Sequence, residues 1–325
     1  MILGIDVGSV MVSVAEVERD GAVGQTFYEP HHGQARAHLE GILERMPWHC
    51  VEAVACTGTT PAFVRSSHRY NDTVCVVRAA SELHPEARAV MTVGGERFSL
   101  VRFGEDGTYK SARGNTSCAA GTGSFLAQQA RRLGLSGSAE LSRRALENVK
   151  PRPTIASRCS VFAKTDLIHA QQEGYGLDEI CDGLCYGLAR NLVDTLASGE
   201  PVGEPVVFAG GVSRNSQVVN YVSELLSRTV IVDEHGACYG AIGACLEHVV
   251  REQKEGNGEP EAPGSPVGLI ADGERPRSYH FPPLELDNDY PEFHSFERFE
   301  TASASAGDNP VEIDVYEPLS GEIGR

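Results

Sequence analysis

The sequence predicts an α/β fold built as two related lobes that close over a ligand. Three observations carry that expectation. Short apolar runs of strand character alternate with helical patterns over residues 1–250. The opening strands are joined by links too short for a helix, so the chain starts with antiparallel hairpins and not with a strand–helix crossover. A strand running into a double glycine returns near Val206–Gly211, repeating the opening device in a second half.

In chain order, strand character is expected at Ile2–Asp6, Val10–Val17, Val51–Cys56, Val74–Val77, Val90–Val93, Phe98–Phe103, Val206–Ala209 and Val230–Val232. The first links are Gly8–Ser9 and Asp20–Gly24. Helical spacing places Leu39, Ile42, Leu43 and Met46 on one face, and likewise Leu177, Ile180, Leu184, Leu188 and Leu192. The expected organisation is a first lobe over 1–90, a second lobe over 91–250 and an acidic, Pro-rich linker or tail over 251–325. Glu, Gly and Pro dominate Arg251–Pro266, and Pro282, Pro283, Pro291, Pro310 and Pro318 punctuate the rest. Aromatic residues such as Tyr279, Phe281, Tyr290 and Phe293 leave open that part of this stretch packs on the body or on a partner.

A formal charge of −17 repels a phosphate backbone, and no Lys/Arg run forms a local basic footprint, which argues against a nucleic-acid partner. Met1 leads into Ile2–Ile5 and Asp6 without an export signal, and no stretch approaches the about 20 apolar residues that cross a bilayer. The expectation is a cytoplasmic protein without a membrane span. The nine cysteines lack the dense spacing of a disulfide framework, so each reads as a core thiol, a nucleophile or a metal ligand in a reducing compartment.

Four constellations bear on chemistry. Gly4-Ile5-Asp6-Val7-Gly8-Ser9 is a strand ending in an aspartate and a tight turn, where the Gly8 and Ser9 amides can approach a phosphate and Asp6 can hold a metal ion or its water. Val93-Gly94-Gly95-Glu96 repeats the pattern, making Gly94 and Gly95 further phosphate-facing candidates and Glu96, with Asp6, a candidate catalytic carboxylate. Phe208 to Asn215 reads as a strand, the double glycine Gly210–Gly211 and a helix start capped by Ser213 or Asn215. One such turn is as readily a plain hairpin, but three point to nucleotide binding.

The fourth constellation is Asn115 to Leu126, with Cys118 just ahead of a helix expected through Leu133 and Gly121, Thr122 and Gly123 around its start. Free amides and the dipole of a helix N-terminus stabilise a thiolate or an anionic cluster. Cys159 follows in Ala156 to Lys164, again leading into a helix. Spacing alone leaves both cysteines open between inert thiols and ligands, because metal sites usually announce themselves with close pairs. Cys181 and Cys185 share a helix face beside Leu184 and Leu188 and read as core thiols; Cys50, Cys56, Cys75, Cys238 and Cys245 read as packing. His169 reads as structural, while Lys164 and Asp166 stay open between nucleotide contact and solvated surface.

Residues 1–250 resemble the BadF/BadG/BcrA/BcrD-type ATPases that activate 2-hydroxyacyl-CoA dehydratases and benzoyl-CoA reductases, proteins of actin/Hsp70/sugar-kinase fold. The matching segments are GIDVGS at 4–9, VGGE at 93–96, CAAGTGSFL at 118–126, ASRCSVFAKTDLI at 156–168, AGGVSRN at 209–215 and YGAIGACL at 239–246. The resemblance implies that Cys118 and Cys159 supply half the ligands of one [4Fe–4S] cluster shared with a second copy or a homologous domain. It implies ATP/ADP and Mg²⁺ in the cleft, and delivery of a low-potential electron from a donor such as ferredoxin or flavodoxin to an iron–sulfur dehydratase or reductase. The pattern departs from the family at Thr92, where an aspartate is usual, and at Val10 and Ser13, in place of Thr and Lys. VGGERF and the stretch around YPEFHSFERFE at 290–300 are similar to the first activator-like domain of large fused activases and to its connector. Two rival readings are a small-molecule kinase of the same fold and a module that binds nucleotide and cluster without hydrolysis.

Overall fold

The computed structural model describes residues 1–115, 122–156, 160–255, 265, 268–271, 295–301 and 311–317, with the backbone alone described at 160, 161, 255 and in the last two ranges. The chain opens with β1 (Ile2–Val7), β2 (Met11–Val17), β3 (Val23–Pro30), α1 (Ala35–Leu43), β4 (Ala53–Thr57), β5 (His68–Tyr70) and α2 (Asp72–Leu83). It continues through β6 (Ala89–Val93), β7 (Phe98–Phe103), β8 (Tyr109–Gly114), α3 (Gly123–Arg132), α4 (Ser138–Glu147), α5 (Ser160–Gln172) and α6 (Leu177–Leu196). Then follow β9 (Val206–Ala209), α7 (Ser216–Leu226), β10 (Val230–Ile231) and α8 (Tyr239–Glu255).

Two five-stranded sheets share one design: the orders are β3-β2-β1-β4-β5 and β10-β9-β6-β7-β8. In each, two antiparallel hairpin steps come first (β1, β2, β3 and β6, β7, β8), and two strands are then added in parallel on the other side. This is the duplicated α/β arrangement that the recurring glycine turns anticipate.

Period-2 alternation assigns the cores. Leu3, Ile5 and Val7 of β1 face α1 residues Leu39, Ile42 and Leu43, whereas Ile2 faces a middle layer formed by α2 and α8. In β9, Val206 and Phe208 enter the core covered by α3 to α7, while Val207 and Ala209 turn to the same middle layer. The middle layer is therefore shared by both sheets, and helices α2 and α8 knit the lobes together. Its closeness depends on small residues. A Cβ on Gly4 would lie 2.7 Å from the Ala241 carbonyl carbon and the Cys245 sulfur, and one on Gly243 would lie 2.8 Å from Cys75 Cα. The small-residue run YGAIGACL thus lets α8 pass directly over β1 and α2.

The expected strand at Val74–Val77 is helix. Asn71 caps α2, its side-chain oxygen accepting the Thr73 and Val74 amides, and Cys75, Ala79 and Ala80 recur at helical spacing on the buried side. Cap and spacing outweigh the β-branched run. Cys50, expected in the packing, is exposed; Cys56, Cys75, Cys181, Cys185, Cys238 and Cys245 are buried. Within the stretch after Val250, α8 runs on to Glu255, and Leu269 and Ile270 are buried in the first lobe's core. There Arg65 N–H donates to Leu269 O at 2.7 Å and Ala271 N–H to Phe63 O at 2.8 Å. The chain divides into Met1–Gly273 and a separate unit, Glu274–Arg325, in which β11 (Ser295–Thr301) and β12 (Val311–Glu317) pair antiparallel. Among the described residues no helix is long and apolar enough to cross a membrane.

Candidate functional site

The cleft is built where strand ends from both lobes meet. β1 delivers Asp6, and the Gly8 turn that follows is closed by Gly8 N–H donating to Met11 O at 3.0 Å. His31 braces that turn. Its Nδ1 accepts the Gly33 amide at 3.1 Å, which leaves Nε2–H to donate to Gly8 O at 3.1 Å. From the second lobe, the turn between β6 and β7 carries Gly94 and Gly95, closed by Gly94 N–H donating to Arg97 O at 2.8 Å. The two turns touch: a Cβ on Gly95 would lie 2.9 Å from Val10 Cγ2 and 3.1 Å from Ser9 Oγ.

Asp6 anchors a polar chain that the sequence reading missed. Thr57 Oγ1–H donates to Asp6 Oδ1 at 2.7 Å and lies 3.4 Å from Thr59 Oγ1, and the Thr59 hydroxyl donates to Asp72 Oδ1 at 3.1 Å. Burial pushes the Asp6 carboxyl up, the Asp72 carboxylate adds to the effect, and the threonine hydroxyls oppose it. Gly240, at the start of α8, closes over Asp6, since a Cβ there would lie 2.9 Å from Asp6 Cγ. The signal for this network was Cys56-Thr57-Gly58-Thr59-Thr60, a further strand-to-glycine turn. Oxygen ligands of this kind, one or two carboxylates with hydroxyls, suit Mg²⁺ shared with nucleotide phosphates. Among the described residues no cluster of three or more His, Cys, Asp or Glu is gathered for a metal ion.

The third turn has a different use for each glycine. Gly210 has φ of +85° and a Cβ there would meet the Val93 backbone, with Val93 C 2.8 Å away, so it lets β9 end against β6. Gly211 receives Tyr28 from β3: a Cβ on Gly211 would lie 3.2 Å from Tyr28 Cζ and closer still to its hydroxyl. The Arg214 guanidinium stacks over the Tyr28 ring, 4.5 Å from its centroid. Asn215 is buried and caps α7 by accepting the Val218 amide at 3.0 Å, with the Cys185 thiol beside it. Its side-chain oxygen is thereby committed to the cap. Cys185 and Cys181 lie in the second lobe's core, where burial pushes the Cys181 thiol up to about 12.

Cys118, Gly121 and Cys159 lie outside the described residues. Their flanks are described: Thr122 is the buried cap residue of α3, and Gly123 N–H and Ser124 N–H donate to Gly94 O at 2.9 Å and Gly95 O at 3.0 Å. The segment after Cys118 is thus hydrogen-bonded to the glycine turn of the cleft. On the other flank, Asp166 Oδ2 accepts the Ala156 amide at 2.7 Å and so fastens the approach to Cys159 onto α5. Lys164 and His169 are exposed on α5, and Glu96 is exposed on the turn between β6 and β7.

Two mixed sheets of repeated topology, with a half-buried aspartate and three glycine turns at their junction, define a two-lobed protein of the actin/Hsp70/sugar-kinase fold. The chain belongs to the BadF/BadG/BcrA/BcrD ATPase family, whose model matches residues 3–247. It is 30% identical over 268 residues to the activator of lactoyl-CoA dehydratase of Anaerotignum propionicum, a match spanning 78% of this chain and 99% of that protein. Among solved structures, the activator of the 2-hydroxyisocaproyl-CoA dehydratase from Clostridium difficile with bound ADPNP superposes with a TM-score of 0.71 at 22% identity, covering 79% of this chain and 98% of that one. Component A of the (R)-2-hydroxyglutaryl-CoA dehydratase of Acidaminococcus fermentans gives 0.70 at 24% identity over 78% and 98%.

Proposed function

We propose that this chain is an ATP-dependent activator of an acyl-CoA dehydratase or reductase, working as a nucleotide-driven electron carrier. ATP and ADP bind among the Gly8–Ser9, Gly94–Gly95 and Gly210–Gly211 turns, with Mg²⁺ held by Asp6 and the phosphates. Cys118 and Cys159 supply two thiolates to a [4Fe–4S] cluster that a second copy or a homologous domain completes, and the cluster supplies one-electron chemistry at low potential. A ferredoxin or flavodoxin is the donor, and the acceptor is an iron–sulfur dehydratase or reductase.

The observation that carries this reading is the bonding of the α3 N-terminus to the carbonyls of Gly94 and Gly95. A phosphate that repositions this turn acts on the Gly123 and Ser124 amides, and so on the start of the helix that Cys118 precedes in sequence, which is the coupling of nucleotide state to the thiolates that this reading requires. The relatives named above as activators support the same conclusion. Anaerobic purification followed by iron, sulfide and nucleotide analysis tests it. Cluster-bearing dimers are expected from the unaltered chain, and Cys118→Ser or Cys159→Ser should abolish the iron; unchanged iron in either variant contradicts the assignment.

The reading without hydrolysis has its own support in Ser13, which is buried on β2 opposite Tyr28 and offers the cleft no cation. Phosphate release distinguishes the two.

A further inference from the structure

We propose that Tyr28 determines how tightly the cleft holds a nucleotide, by occupying from the first lobe the space beside Gly211 that the ligand needs. The inference rests on the reading of the Gly210–Gly211 turn as nucleotide-facing and gives that turn an internal competitor.

The geometry is one of mutual exclusion. Tyr28 sits on β3 opposite Ser13, and its phenol reaches from the first lobe to rest on Gly211 of the second. The space where any side chain at 211 would begin is filled, with Tyr28 Cζ 3.2 Å from that position. A ribose or phosphate group touching the same glycine cannot coexist with the phenol there. The ring is also held: Arg214 lies over its face at 4.5 Å, a cation–π contact made by the residue three positions beyond the glycine. Burial pushes the phenol well above its ordinary pKa, so Tyr28 remains a neutral O–H and supplies no charge that would draw a phosphate in. Nucleotide binding therefore has to displace the ring, and the apparent Kd is the intrinsic one divided by the fraction of molecules in which Tyr28 is elsewhere. Stacking leaves the Arg214 N–H groups free in the guanidinium plane, so the displaced arginine can meet the incoming anion.

The test is equilibrium and stopped-flow binding of ADP and its methylanthraniloyl derivative to the unaltered chain, Tyr28→Ala and Tyr28→Phe. Tyr28→Ala should tighten ADP by about tenfold and raise the association rate, as expected when a competitor held by a cation–π contact is removed. Tyr28→Phe keeps the stacked ring and loses only the hydroxyl against Gly211, so it should fall between the two and serves alone if the alanine variant does not fold. A merely structural tyrosine would lose affinity on truncation. Unchanged or weaker ADP binding in both variants overturns the proposal while leaving the nucleotide reading intact. Failure of all three proteins to bind ADP overturns both.

Discussion

The crossing of α2 and α8 makes a sharp quantitative prediction, because Gly243 meets the backbone of α2 and not a flexible side chain. A Cβ at 243 would lie 2.8 Å from Cys75 Cα and nearer still to the Cys75 carbonyl. Carbon atoms pack at about 3.5–4.0 Å, so with the carbonyl as the limiting contact Gly243→Ala drives the helices apart by more than about an ångström at the layer both sheets share. Overpacking a filled core costs typically about 1–3 kcal/mol, and a clash with backbone on both sides belongs at the top of that range. For a body of this size, about 3 kcal/mol lowers the melting temperature by about 6–12 °C. Gly41→Ala is the matched control. Gly41 lies inside α1, has no positive φ and has nothing within 4 Å of its notional Cβ, so the change should add about 0.5–1 kcal/mol. Differential scanning calorimetry of both variants decides the matter. A Gly243→Ala protein that melts with or above the unaltered chain would refute the claim that contact between these helices limits the middle layer.

Two further outcomes follow from capping and charge. Asn71→Ala removes the acceptor for the Thr73 and Val74 amides and should destabilise the protein by about 1 kcal/mol in a denaturant titration, whereas Asn71→Asp should retain most of the stability. Asp6, whose carboxyl burial pushes up, binds its proton more tightly folded than unfolded, so its contribution is full below the ordinary carboxylate range and is lost as pH rises through the folded value. Asp6→Asn should therefore gain thermal stability relative to the unaltered chain as pH rises toward neutrality, and lose that advantage in acid. A gap that stays constant with pH would contradict the burial argument.

Much of the architecture was legible because both central strands are buried on two faces. Ile2–Asp6 and Val206–Ala209 read as continuous apolar runs for that reason, and the glycines that end them mark the cleft. Val74–Val77 misled because three valines mimic a strand, while the cap that makes them helical lies outside the run, at Asn71. Local pattern also could not reveal partners brought together by tertiary folding. Tyr28 belongs to a partly exposed strand with no distinguishing motif, yet it reaches Gly211 across the lobes. Gly210 and Gly211 were recognised as special, but their spacing could not say that one serves a left-handed turn and the other a tyrosine from the opposite lobe. Asn215, expected near the nucleotide, also caps α7 through its side-chain oxygen, a role its place in the sequence already suggested. Thr57 escaped because a threonine at a strand end is common, and only the fold puts its hydroxyl on Asp6.

Phosphate release from MgATP by the anaerobically purified, cluster-bearing protein is the most direct measurement of whether the cleft drives an activator. Steady release by the unaltered chain, abolished by Asp6→Asn with the cluster retained, is the predicted result. A cluster-loaded protein that binds ATP and releases no phosphate would contradict the ATP-driven account.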